Sequence, residues 1–585
     1  MSEPKSLAGG VSQSPLLYAA LPGTTLPISD HELLFVPDGR DDRHIMTADV
    51  YAALEQCAEF ATLDEHVRRL GRSFPKLGVA NIQRVLENLV QRGVFMAHPH
   101  LQAKLAASAQ TSAPAPLRSM AILSLGHPAA LEALLASIAE GTPQRDRSFA
   151  LIDGGEVAEL RARKIELMAE FGRRTGQRVV LLDGKRERWL AERVQQMPEH
   201  AEGLELLFGK QAGARARAVN LALIAHAGER ILLLDDQQRL RTYGAEQPSF
   251  ALGGGSGRKP RVYESTDSAV AAWPRGLDLW SLAEARLGKA LGELVPEPQL
   301  QGRRVEDFYG YTGARAASLA LGVLGSADTE HAFWLFHVPA EDRKRLGDRE
   351  ALQNALSGDA IYLGCAETTL SSAPALAACA WDLSGSCGFA YGDDHGCDVA
   401  LAALARFADP LGLQLVCTEA LERRAPGLAR GENNREPLST GFARFLADQV
   451  ASLQGLCLAE ATTARWRWLA SQLRDLADAA LDERVQVLWR YLTGRRAQLI
   501  AELQQVLMRS TTDAPELWRQ ELLLTVQAQA EALLQARSPN LKSFARNLSA
   551  AGAADALSEE LRKVALAADA WAALWPQAQA ARWFA

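Results

Sequence analysis

The chain has 585 residues, of which 48% are hydrophobic and 23% charged, with a net charge of −7. This is the composition of a globular protein, and at roughly 150 residues per unit about three or four folding units are expected. The negative balance gives no electrostatic reason to bind nucleic acid or an anionic membrane, and no run of about 18 apolar residues is present to span one. The first thirty residues lack a basic flank followed by an apolar core, so a cytoplasmic location is expected.

The first 28 residues are rich in Ser, Gly and Pro and read as a flexible arm. Residues 29–97 form a compact pattern. His31–Pro37 and Arg43–Thr47 are predicted strands, and Ala48–Phe60 is a predicted helix with Val50, Leu54, Cys57 and Ala58 on one face. Thr62 with Glu65 three residues on predicts a capping box for the next helix, which Gly71 and Pro75 interrupt. Val79–Arg92 is amphipathic through Val79, Ile82, Val85, Leu86 and Leu89, and Gly93 follows it as a helix terminator. Small strands followed by helices make a winged-helix-like module. Residues 98–117, which contain Ser108–Pro116, have linker composition.

From 118 to 430 strands and helices alternate, the pattern of an α/β domain with a largely parallel sheet. Strands are predicted at Met120–Leu125, Phe149–Ile152, Arg178–Leu182 and Arg230–Leu234. Helices are predicted at His127–Ala139, Val157–Arg173, Arg186–Gln196 and Ala214–Ala227. Residues 244–300 are irregular, and the glycines Gly253–Gly255 with Arg258 and Lys259 read as a flexible loop or a phosphate clamp. Residues 438–585 are almost wholly helical and read as a C-terminal all-helical domain, with Trp466, Trp468, Trp489, Trp518, Trp571 and Trp575 as its core and interface anchors. The seven cysteines, Cys57, Cys365, Cys379, Cys387, Cys397, Cys417 and Cys457, show no paired spacing. They are expected as buried reduced thiols, the alternative being a Cys/His metal site that includes His395.

Two acidic stretches carry the chemistry. The strand Ile231–Leu234 runs into Asp235–Asp236. Carboxylates outside the carboxyl end of a strand can hold a divalent cation that bridges a diphosphate. The second stretch, Gly388–Ala400, precedes the predicted helix Leu401–Phe407 and contains Asp394, His395 and Asp398. Asp394 and Asp398 lie four apart and share a face if the segment is helical.

Residues Gly213–Leu240, with Arg217 and Asn220 on a helix, Gly228 in a turn and Asp235–Asp236 after a strand, resemble a segment of GT-A-type (family-2-like) glycosyltransferases. Met120–Gly141 and Ser148–Gly155 resemble the first two strands of that fold. The resemblance implies a GT-A-like nucleotide-binding core over 118–430 and transfer of a sugar from a nucleotide-sugar donor. It places Asp153 or Asp183 against the base, Arg217 and Asn220 beside the donor, and Asp235 and Asp236 on Mn or Mg. Asp394 or Asp398 would take the acceptor proton, with His395 as a further metal ligand. The chain departs from the family pattern at Gln237, where an acidic residue is usual.

Residues 29–97 resemble PqqD-like domains, which recognise the leader of a ribosomally made precursor peptide. The features that carry this are ELLFVPD, RHIMTADVYAALEQC, TLDEHVRRL and IQRVLENLVQRGVF. The resemblance implies that a leader adds as a strand at a sheet edge, along Arg43, His44, Ile45 and Met46, and packs against Asn81, Arg84, Val85 and Asn88. The basic residues Arg84 and Arg92 are too few for phosphate binding, so no nucleic-acid partner is expected. The combined expectation is a glycosyltransferase that modifies a side chain of a precursor peptide, with a homodimer as an open possibility. Two alternatives stand beside it: a transferase acting on a small molecule or glycan, and a degenerate transferase fold serving as a peptide scaffold or chaperone.

Overall fold

A computed structural model describes residues 16–29, 31–38, 42–107, 116–140, 147–153, 157–210, 212–244, 260–294, 300, 302–309, 311–326, 337–356, 360–365, 367–371, 378–392, 397–424, 441–509, 515–535 and 550–581. The chain divides into two compact units, residues 1–109 with 289–314, and residues 110–288 with 315–585.

In the first unit, β1 (Tyr18–Ala20) pairs with β5 (Phe95–Ala97), and β2 (Gly23–Pro27), β3 (Glu32–Pro37) and β4 (His44–Thr47) form an antiparallel sheet in that order. Residues 16–28, expected as a loose arm, therefore belong to the fold: β2 pairs along the whole of Leu33–Pro37, and Ala19, Ala20 and Leu21 are buried. The predicted capping box is formed, with the Glu65 carboxylate accepting the Thr62 N–H at 2.8 Å. Helix Val79–Gln91 buries Ile82, Leu86 and Leu89 in the same core as Phe35, Met46, Leu54, Val67 and Leu70.

Two expectations for this unit need correction. The helix from Ala48 stops at Glu55 rather than Phe60 because tertiary pairing claims the backbone beyond it. Ala20 N–H donates to Cys57 C=O, and Phe60 N–H donates to Arg303 C=O. Residues 98–106, expected as linker, are the helix His98–Ala106, whose Pro99 fits its first turn and whose Leu101 and Leu105 are buried. Most of Ser108–Pro116 lies outside the described residues. The segment 289–314 completes the unit: Phe308 packs edge-on to Phe60, and a Cβ on Gly292 would collide with the backbone of Ala106.

The second unit is mixed α/β. Its strands are β6 (Leu117–Ser124), β7 (Ser148–Asp153), β8 (Arg178–Leu181), β9 (Arg230–Asp235), β10 (Gln238–Tyr243), β11 (Arg261–Val262) and β12 (Arg275–Asp278). They continue with β13 (Arg315–Gly325), β14 (Ile361–Leu363), β15 (Thr369–Ser371), β16 (Ala378–Asp382) and β17 (Gly412–Arg423). Among the described residues they build one sheet whose main path is β12-β10-β17-β13-β16-β9-β6-β7-β8. Strands β9, β6, β7 and β8 are parallel, whereas β16 enters antiparallel to β9 and β10 antiparallel to β17. The sheet is thus mixed rather than largely parallel. Its parallel half is the stretch in which helices, including Pro128–Ala139, Ala158–Thr175 and Ala214–Ala225, carry the chain back between strands.

The C-terminal helices share the core of this unit and do not form a core of their own. Trp466, Leu469, Leu561, Trp571 and Trp575 lie in one buried cluster with Leu123, Ile231, Leu233 and Leu223. Helix Ala550–Ala581 approaches helix Ala201–Phe208 so closely that a Cβ on Gly203 would sit 2.3 Å from the Leu566 carbonyl oxygen. Trp571 Nε1–H donates to Cys387 C=O at 2.9 Å, and Trp575 Nε1–H to Gly385 C=O at 3.1 Å. All seven cysteines are buried. Among the described residues no helix is long and apolar enough to cross a membrane.

Candidate functional site

Strands β8, β7, β6 and β9 lie side by side, so the chain's progression across the sheet reverses between β6 and β9. The crevice outside the carboxyl ends of strands at such a reversal is where open α/β sheets bind ligands. Ser124 ends β6, Asp153 ends β7 and Asp235 ends β9. Ser124 is in register with Asp153, and Leu123 with Asp235. Three separate segments thus deliver polar side chains to one place, and Asp236 follows directly.

Asp236 is buried. Its Oδ2 accepts from Ser124 Oγ–H at 2.6 Å and from Gly126 N–H at 3.3 Å, and its own N–H donates to Leu123 C=O. Burial pushes its carboxyl above the ordinary range; the Ser124 and Gly126 hydrogen bonds oppose that and neighbouring Asp235 adds to it. Asp235 is half-buried. Its Oδ1 accepts Gln237 N–H at 2.9 Å and its Oδ2 faces Arg423 Nη2 at 3.5 Å. Asp235 N–H donates to Gln238 Oε1, which closes the turn into β10.

Asp153 is buried against Lys164, itself 1% exposed, at 2.9 Å, and against Arg161 at 3.1 Å. Lys164 also donates to Ser124 C=O at 3.0 Å, which ties β6 and β7 together. Asp183 opens helix Asp183–Gln196 directly after β8, and its side chain is not among those described.

The other expected residues are placed as follows. Asp398 sits in the first turn of helix Cys397–Ala408, and its Oδ2 pairs at 3.1 Å with Arg215 from the first turn of helix Ala214–Ala225. Burial works against the Arg215 charge, but Asp398, Cys397 and Asp235 outweigh it and hold its pKa above the ordinary value. Asp394 and His395 lie outside the described residues, as do Gly253–Gly255, Arg258 and Lys259.

Arg217 is half-buried and donates to Gly209 C=O at 3.4 Å. Asn220 is fully buried, its Nδ2 donating to Leu207 and Ala390 C=O and its Oδ1 accepting Ala390 N–H at 2.7 Å. Its amide is therefore committed to backbone, and it acts on any donor site only through the segment it anchors.

Several members of the site were missed by sequence reasoning: Ser124, Lys164, Arg215, Arg239 and Arg423. Arg215 stands two residues before Arg217 in the same helix, and Arg423–Arg424 close a strand, but neither feature names its partner.

The expected Mn or Mg can be tested against the donors present. Both Asp235 oxygens are engaged, and Asp236 is turned under the end of β6 onto Ser124 and Gly126. Asp398 and Asp153 are held by Arg215 and Lys164. Among the described residues no group of three or more His, Cys, Asp or Glu side chains is placed to hold a metal. As arranged, these carboxylates are engaged by the protein's own donors, and the expected ligand His395 lies outside the described residues. A cavity of about 30 Å³ lies at the opposite strand ends, lined by Asp382, Ser386, Arg406, Asp409 and Gln414, with room for water but not for a nucleotide.

In the first unit, β4 has β3 as its partner and, among the described residues, no strand on its other side. Arg43 and Ile45 are exposed and His44 is half-buried; Asn81, Arg84, Val85 and Asn88 are all exposed on helix Val79–Gln91. Met46, expected at the peptide surface, points the other way and is buried, because alternate residues of a strand face opposite sides. No family model, no curated protein and no solved structure matches this chain.

Proposed function

We propose that this protein is a nucleotide-sugar-dependent glycosyltransferase that modifies a side chain of a ribosomally made precursor peptide, held through the first unit. The observation that carries the transferase reading is the gathering of Ser124, Asp153, Asp235 and Asp236 outside the carboxyl ends of β6, β7 and β9, at the reversal of strand order. The peptide reading rests on the open edge of β4 and on apolar Ile45 and Val85, which are 58% and 45% exposed. An extended peptide that adds to such an edge gains main-chain hydrogen bonds, and exposed apolar side chains give it contacts of its own.

In the transfer, an acceptor hydroxyl forms the new bond to the anomeric carbon as the bond to the nucleoside diphosphate breaks. The hydroxyl proton passes to a carboxylate, for which Asp394 and Asp398 are proposed. A second reading, a peptide-binding scaffold on a degenerate transferase fold, is favoured by the engagement of every described carboxylate of the site with the protein's own donors.

The deciding experiment mixes the full chain with a panel of nucleotide sugars and any short leader-bearing peptide encoded near its gene, read by peptide mass. A mass increase of one sugar that requires the leader supports transfer to peptide. Leader binding without any mass change, and without donor hydrolysis, supports the scaffold.

A further inference from the structure

The turn between β9 and β10 is surrounded by arginines. Gln238, the first residue of β10, is the antiparallel register partner of Arg423 at the end of β17, and Arg239 lies within reach of the charges of Glu422, Arg424, Asp236 and Asp235. Arg423 lies 3.5 Å from Asp235, a loose pair compared with the roughly 2.7–2.9 Å of a charge-assisted hydrogen bond. Its Nε–H is buried and has no acceptor among the described residues. Arg424 is matched by Glu422 at 2.7 Å and Asp267 at 2.8 Å, and Arg215 by Asp398.

Arg239 differs. Among the described residues its guanidinium meets the carbonyl oxygens of Gln238 at 2.8 Å and Asp236 at 3.4 Å, and forms no ion pair. Burial lowers its pKa; the charges of Glu422, Asp236 and Asp235 relieve this in part, and that of Arg424 adds to it. The site therefore holds a half-buried cation whose hydrogen bonds go only to carbonyl oxygens and a second guanidinium with an orphaned donor. Its carboxylates, by contrast, are already occupied. An oxyanion would satisfy both defects, whereas a divalent cation would first have to displace Arg423 from Asp235.

We infer that the crevice at the end of β9 binds the phosphates of its ligand directly through Arg239 and Arg423, with Arg215 adding charge from the facing helix, and needs no divalent cation. The ligand class is a diphosphate, whose paired oxyanions suit the planar fork of a guanidinium. This deepens the transferase reading and rests on it for the identity of the diphosphate as a nucleotide.

The test is calorimetric titration of the full chain with inorganic pyrophosphate in excess EDTA, then with Mn2+ and Mg2+. Binding in EDTA that weakens with added salt is expected, and Arg239→Gln should weaken it by about tenfold or more. Because Arg423→Gln removes a partner of Asp235, Arg423→Lys is measured beside it, and the melting temperature of each variant checks its fold. Lys keeps the charge but not the fork, so an intermediate loss is expected.

Binding that appears only with metal and disappears in Asp236→Asn overturns the inference, and so does no binding under either condition. Binding in EDTA without sugar transfer from any donor would keep the anion site and remove the transferase reading. Transfer that requires metal would keep that reading and remove the inference.

Discussion

Asn220 and His66 show how much one side chain can hold. Asn220 makes three hydrogen bonds to main chain 13 and 170 residues away and is fully buried. Asn220→Ala leaves buried amide and carbonyl groups of Ala390 and Leu207 without partners, and should cost about 2–4 kcal/mol in denaturant unfolding. Asn220→Asp should also destabilise, since it removes the donor to both carbonyls. His66 is buried in the first unit, its Nε2–H donating to Tyr18 C=O at 2.8 Å. Burial lowers its pKa below the ordinary 6.5, against the Tyr18 hydrogen bond. Below pH 6.5 the unfolded chain then binds more protons than the folded one. The stability that His66 contributes is full above that pH and is lost as the pH falls through and below it. Thermal melts between about pH 7.5 and 5.5 should show this decline, and His66→Gln should flatten it even if its baseline is lower.

Strand β4 is the element in which local pattern and the proposed peptide binding meet. Its alternation puts Met46 into the core and Ile45 outside. Ile45→Lys and Val85→Lys should leave the melting temperature nearly unchanged, since both positions are exposed, while removing leader binding measured by fluorescence anisotropy. Met46→Ala should instead cost about 2–5 kcal/mol through the cavity it opens. Loss of binding only in proportion to loss of stability would place the peptide elsewhere. The capping box at Thr62 was legible in the sequence because helix termini are written in a few adjacent residues. The early stop of the first helix at Glu55 was not, because Ala20 and Arg303, which claim the backbone beyond it, are remote in sequence.

The helices after 441 belong to the core of the second unit. Trp571 and Trp575 bond to the main chain of Cys387 and Gly385, and Trp466 packs against Phe389 and Phe407. A chain ended after residue 437 should therefore fail to give a cooperative melt, since it uncovers apolar surface of the sheet-bearing core; a stable, two-state fragment would show the helices to be dispensable. The first unit likewise draws 289–314 from the middle of the chain, so its boundary cannot be cut from sequence order alone.

By itself, the sequence determined the α/β alternation from 118 to about 235, the positions of β6 to β9, and the arrival of Asp235–Asp236 at a strand end. These follow from hydrophobic period and turn chemistry, which act over a few residues. Only the tertiary structure decided what those carboxylates meet. Arg423 reaches Asp235, Arg215 reaches Asp398 across 183 residues, and Lys164 folds back from its helix onto Asp153. Residue type announces that a charge exists; the partner that matches it, and hence whether the site suits a cation or an anion, is set by which strands the sheet places side by side.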